Sequence, residues 1–208
     1  MVSTGKDSIA MLHKVLTEYG IDKDRISFVY MYFYPKGVLS YRDKYIAHLE
    51  KKYGIDIIYS PHYETWMMDK TYPKVSFKDN RDFLLKRFNA DWYFYGWWKG
   101  EGLATNILLK HSINGIPQQF SSDGKKYNDP QCHLYPFHNM NENDVWDYID
   151  EHNLDLSPEY QYGFRDIAIF RGETAKWLHD VYPEDFKRAC DVDKRLKQEY
   201  FKVTYEQD

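Results

Sequence analysis

Hydrophobic positions in the first half of the chain switch between a helical and an extended period. Leu12, Val15, Leu16 and Tyr19 share one helical face, and Gly20 can stop that helix in the left-handed region. Residues 26–33 form a nearly unbroken apolar run of strand length, as expected for a strand covered on both faces. Tyr45, Ile46, Leu49 and Tyr53 mark a second amphipathic helix over 41–53, closed by Gly54, and residues 55–59 read as another strand. The pattern then predicts a helix over 77–88, a strand over 92–95 and a helix over 103–113 before Gly115. Residues 117–133 break the periodicity with Pro117, Gly124, Pro130 and the turn signal Ser121-Ser122-Asp123-Gly124. From Asn141 onward the chain reads as mostly helical. Asn141 is the expected N-cap, Asp144 favours the positive helix end, and Val145, Trp146 and Ile149 form the docking stripe. The tail from Pro183 reads as one long charged helix.

This alternation predicts an α/β fold: a Rossmann-like, doubly wound parallel sheet with helices on both faces and a helical C-terminal part over 141–208. At 208 residues the chain suits a single domain. Its net charge of −4 creates no general field for nucleic acid, so any RNA or DNA contact would have to come from a local patch. Aromatic residues make up 18% of the chain against a mean hydropathy of −0.74, so tyrosine and tryptophan must do much of the packing. The two cysteines, Cys132 and Cys190, form no spacing motif, which fits a reducing, cytoplasmic setting, and no apolar run reaches membrane-spanning length. Cys132 and His133 with His138 lack a fourth ligand for zinc, and His13 and His48 are expected to partner carbonyls or water within their helices. Acidic residues offset the basic ones along the tail, which reads as a solvated face. Cys190 reads as structural.

Candidate chemistry concentrates at the start. In Ser3-Thr4-Gly5-Lys6-Asp7-Ser8, small residues and a glycine let backbone N–H groups converge as a helix begins. Lys6 would add a positive charge at the rim, and the Ser8 hydroxyl could reach a phosphate oxygen or a metal-bound water. The Walker A pattern does not fit, because Asp7 stands where Ser or Thr must hold magnesium and its first glycine would precede the chain. A second loop, Gly96-Trp97-Trp98-Lys99-Gly100-Glu101-Gly102, follows a predicted strand and should face the first across the ligand crevice of such a sheet. Lys99 is its candidate phosphate contact, and Trp97 or Trp98 offers a face for adenine.

The residue 3–8 run resembles the PP-loop, S-x-G-x-D-S, of the adenine nucleotide α-hydrolase superfamily, with Thr4 where many members have glycine. Residues 3–13 are similar to the loop and helix of the ATP sulfurylase small subunit and to the loop of PAPS reductases. Leu134-Tyr135-Pro136-Phe137-His138-Asn139-Met140 leading into Asn143-Asp144-Val145-Trp146-Asp147-Tyr148-Ile149 resembles the P-L-x-x-W-T-x-x-D-V-W-x-Y-I segment of the same proteins. Residues 157–167 resemble their N-P-x-Y-x-x-G-F-x-x-I stretch. There the family continues with two cysteines, where this chain has Ala168-Ile169-Phe170-Arg171 and a cysteine-free tail.

The resemblance implies an enzyme that binds ATP or a related adenine nucleotide and acts at its α-phosphate, by adenylation or pyrophosphate release. Ser3, Thr4, Gly5, Lys6, Asp7, Ser8, Gly96 and Lys99 would hold the nucleotide. Lys6 and Asp7 would be the catalytic pair, with Mg²⁺ brought by the nucleotide and Asp7 able to order it. Attack on the sulfur of a sulfonucleotide needs a thiolate, so the missing cysteines argue against reductase chemistry. Two alternatives stand: a sulfonucleotide reductase or sulfate-adenylating subunit completed by a partner chain, and a non-catalytic nucleotide sensor. In the family a full strand leads into the loop, whereas only Met1 and Val2 precede it here. Upstream residues or a partner chain are therefore expected at that sheet edge. The acceptor substrate has no signature in the sequence.

Overall fold

The structure, a computed structural model, describes residues 2–62, 77–110, 112–113, 116–117, 132–164 and 172–205. The chain divides into two units, Met1–Ser27 with Lys78–Asp155 and Phe28–Phe77 with Leu156–Asp208.

The first unit begins with α1 (Lys6–Thr17), which buries Ile9, Ala10, Leu12 and Val15. Glu18 caps its C-terminus, and Gly20 follows with φ +62°. Tyr19, expected on the same buried face, is exposed because it lies beyond the helix end. A later helix, α3 (Phe77–Phe88), leads into strand β3 (Trp92–Phe94). Strand β3 runs parallel to β6 (Cys132–Leu134), with Tyr93 opposite His133 and Phe94 opposite Leu134. The pairing continues past both strands, through a bond from Tyr95 N–H to Leu134 O at 3.0 Å and a parallel bridge between Trp98 and Phe137. Alternation splits the rings between two faces. Tyr93, Tyr95, His133 and Tyr135 are buried and stack in succession, with Tyr95 over Tyr135 at 5.2 Å. On the other face Phe94 meets Tyr19 edge-on.

The expected helix over 103–113 is shorter. It ends as α4 (Leu103–Lys110), and β4 (Ser112–Ile113) pairs antiparallel with β5 (Ile116–Pro117). β-Branched Ile113 and the nearby Pro117 favour that extended pairing over another helical turn. Helix α5 (Glu142–Glu151) starts as expected, with a full capping box between Asn141 and Asp144, and packs against α1. His13 differs from its expected partners: its Nδ1 meets the Tyr148 hydroxyl at 2.9 Å, and that hydroxyl donates to Glu18 at 2.9 Å. With the phenolic proton committed to Glu18, His13 Nδ1 is the donor.

The second unit contains a β–α–β element. Strand β1 (Phe28–Tyr32) runs parallel to β2 (Ile57–Pro61), and α2 (Ser40–Tyr53) connects them, ending at Gly54 in the left-handed region. Helix α2 buries Tyr41, Arg42, Tyr45, Ile46 and Leu49. The short α6 (Pro158–Gln161) supplies Glu159, which is fully buried. Its carboxylate accepts from Arg42 Nε at 3.1 Å, from the Tyr41 hydroxyl at 2.8 Å and from the Ser157 hydroxyl. Helices α7 (Gly172–Val181), α8 (Pro183–Val192) and α9 (Lys194–Tyr205) pack around Ala175, Trp177, Leu178, Ala189 and Leu196, and Cys190 lies against that cluster. The expected single tail helix is therefore two. Asp193 is extended between them and accepts from the N–H and Nε of Arg195, both at 3.0 Å, so it starts α9 as it ends α8.

The fold is thus mixed α/β with short parallel strand pairs. The described strands form three two-stranded pairs, β1–β2, β3–β6 and β4–β5. The expected turn at 121–124 and the stretch 165–171, where the cysteine comparison falls, lie outside the described residues. Among the described residues no helix is long and apolar enough to cross a membrane.

Candidate functional site

Residues 3–8 fold back on the first turn of α1. Ser3 N–H donates to Ser8 Oγ at 2.6 Å, and Gly5 N–H donates to Ser3 Oγ at 3.2 Å. Gly5 is the N-cap, with φ −73° and ψ 148°, and no side chain caps the turn. The Ser8 and Ile9 N–H groups both donate to the Gly5 carbonyl at 3.1 Å. Thr4, within this loop, is buried. A helix start built this way collects positive potential from its N–H groups.

Lys6 departs from its expected place at the rim. Its side chain is only 5% exposed, and Nζ sits 2.5 Å from Asp7 Oδ1. The ammonium also lies 5.5 Å from the Trp98 ring centroid and 5.6 Å from that of Trp146. Two indole rings and a carboxylate therefore lie around one cation. A long flexible stem lets lysine reach back under apolar cover, which outweighs the exposure expected of a charged residue in a polar run.

The loop after β3 meets the first loop, as its position in the chain predicts. Gly96 presses on the backbone of α1: a Cβ there would lie 2.9 Å from the Asp7 carbonyl oxygen and 3.3 Å from Ser8 N. Glycine is needed here for close approach. Two residues on, Trp98 covers Lys6, and its backbone N–H faces Glu101 Oε2 at 3.4 Å. Gly100, at φ +105°, turns the loop, and its N–H donates to Asn106 at the start of α4. Partial desolvation, and after it the negative charge of Asp7, push the Glu101 carboxyl up to about 6. The residue is otherwise exposed, so at neutral pH it remains largely ionised.

Of the residues singled out in the sequence, Ser3, Thr4, Gly5, Lys6, Asp7, Ser8 and Gly96 come together. Lys99 is exposed, and its backbone N–H donates to Met140 O at 2.8 Å. Among the described contacts its ammonium meets none of residues 3–8. Two members of the cluster had no assigned role in the sequence reading. Trp146 falls in the apolar stripe of α5, and its position beside Lys6 follows only from how α5 packs on α1. Glu101 lies in a glycine-rich turn, and the available signal was a carboxylate five residues after the close-approach glycine.

The arrangement offers one cation, two carboxylates, an uncapped helix start and two indole faces. Such a set can receive an anionic group at the helix start and a divalent cation at the carboxylates. No family model matches the chain, and no curated protein matches it.

Proposed function

We propose that this protein binds ATP or a related adenine nucleotide through the residue 3–8 loop and acts at its α-phosphate. The observation that carries this reading is the uncapped start of α1, with Lys6, Asp7 and Ser8 in its first turn and Gly96 pressed against it. Backbone N–H groups there and the Lys6 ammonium are the donors that a polyphosphate requires. Trp98 and Trp146 supply flat apolar surface at the same point. The reading requires the doubly wound parallel sheet of the PP-loop superfamily. A reducing, cytoplasmic setting agrees with cysteines that form no motif.

The carboxylates of Asp7 and Glu101 are hard oxygen donors and fit Mg²⁺. Among the described residues no group of three His, Cys, Asp or Glu side chains could hold a metal, which suits an ion that keeps water and phosphate oxygens as its other ligands. Bound there, Mg²⁺ would neutralise phosphate charge. The work of the chain's own residues is to grip the β- and γ-phosphates as a leaving unit. A nucleophilic acceptor forms a bond to the α-phosphorus as the bridging oxygen takes the electron pair of the breaking bond. Lys6 and the helix start lie where negative charge grows on departing pyrophosphate, so they stabilise the transition state more than bound ATP. The acceptor's proton goes to solvent.

The burial of Lys6 favours a second reading, a nucleotide sensor that binds without turnover. Following α- and γ-labelled ATP side by side, with candidate acceptors, separates the two. The enzyme reading expects adenylate or AMP plus pyrophosphate. Lysine-dependent ADP formation overturns it, and intact bound nucleotide with every acceptor supports the sensor.

A further inference from the structure

The Lys6–Asp7 contact has a consequence for how any anion reaches this site. Lys6 Nζ is not presented to an incoming ligand. It is 2.5 Å from Asp7 Oδ1, lies 5.5 Å from the Trp98 ring centroid and 5.6 Å from that of Trp146, and belongs to a side chain that is 5% exposed. Asp7 and Lys6 are adjacent in sequence on the first helical turn. Glu101 is near enough to feel the Asp7 charge. The three charged groups sum to one net negative charge, which repels a polyphosphate even though the backbone at the helix start attracts it.

We propose that Asp7 is an intramolecular latch on Lys6, and that a divalent cation releases it by taking the Asp7 carboxylate. This rests on the nucleotide reading given above and adds its regulation. With the latch closed, a phosphate oxygen must compete with a carboxylate already bonded to the ammonium. A divalent cation on Asp7, with Glu101 alongside, turns the local charge from one negative to one positive and leaves Lys6 to the phosphates. Cation and nucleotide therefore bind with positive coupling, and the coupling runs through Asp7.

The test is a four-armed calorimetric titration with ATP, using wild type and Asp7→Asn, each in excess Mg²⁺ and in EDTA. The tryptophan emission of the nucleotide-free proteins is recorded in parallel. Asparagine keeps the size and helix-start preference of aspartate but bears no charge, and Asp7→Ser serves as a second variant. Wild type is expected to bind ATP at least about tenfold more weakly in EDTA than in Mg²⁺, the scale of one charge-assisted contact. Asp7→Asn is expected to bind at least about tenfold more tightly than wild type in EDTA, and to gain little from Mg²⁺. ATP binding to Asp7→Asn in EDTA no tighter than wild type overturns the latch while leaving the nucleotide reading intact. Absence of ATP binding in every arm, with both proteins folded, overturns the nucleotide reading instead. Emission then decides the latch: a shift on Asp7→Asn that disappears in a Trp98→Phe, Trp146→Phe background retains it, and unchanged emission removes it.

Discussion

Replacing Gly96 by alanine adds a single methyl group at the point where the two loops meet. That carbon would lie 2.9 Å from the Asp7 carbonyl oxygen, 3.0 Å from the Asp7 carbonyl carbon and 3.3 Å from Ser8 N. All three are backbone atoms of the first turn of α1, so no flexible side chain can swing aside. Ser8 N is also bonded to Gly5 O, which ties the turn to the loop. Either the helix start or the loop after β3 must move by several tenths of an ångström. Overpacking of this kind destabilises by about 1–3 kcal/mol. For a chain of this size that lowers the melting temperature by roughly 2–4 °C per kcal/mol. Gly102, in the same loop, supplies the control, because a Cβ there meets nothing within 4 Å. Urea unfolding of Gly96→Ala and Gly102→Ala, with ATP titrations of both, reads stability and site together. Gly96→Ala is expected to lose stability in that range and to weaken ATP binding, whereas Gly102→Ala stays within about 1 kcal/mol of wild type, the scale of a changed helix cap. Equal stability of the two variants would refute the close-approach argument.

Two further outcomes follow from buried and shifted charges. Glu159→Ala leaves Arg42 without its carboxylate among residues that are almost wholly buried, and is expected to destabilise by about 3–5 kcal/mol in chemical denaturation. An Arg42→Met, Glu159→Leu double variant should recover much of that loss, and a double variant as unstable as the single one would contradict the pairing. Because the Glu101 pKa is raised to about 6 in the folded chain from 4.5, the folded state binds more protons than the unfolded state between those values. Its contribution to stability is therefore greatest below about pH 4.5 and falls as pH rises through about 6. Glu101→Gln should remove that fall, so the difference in stability between wild type and variant should change across this window, and a flat difference would refute it.

The local elements were legible because their signals are local. The helix over 77–88 and the Asn141 capping box are set by periodicity and by side chains a few residues apart. Gly96 was also legible, since a loop after a parallel strand has few places to go. Lys6 was misplaced because sequence gives it a charge and a polar neighbourhood, while its burial depends on Trp98 and Trp146 arriving from distant parts of the chain. The break at Asp193 was hidden for the opposite reason: the charge pattern suits a continuous helix, and only the bonds of Asp193 to Arg195 reveal a new start. His13 was expected to meet a carbonyl or water, because nothing local announces Tyr148. A doubly wound sheet was inferred from alternation alone. Alternation specifies strands and helices in order, and the pairing of those strands is a property of tertiary contacts.

The central claim is that the start of α1 receives nucleotide phosphates with Lys6 as their charged partner. Isothermal titration of wild type and Lys6→Ala with ATP in excess Mg²⁺ tests it most directly. Losing one charge-assisted contact of about 1.5–3 kcal/mol should weaken binding roughly tenfold to a hundredfold. Circular dichroism of the variant should be unchanged, since alanine suits the first helical turn. Equal ATP affinity in the two proteins, or no binding by wild type, would contradict the account.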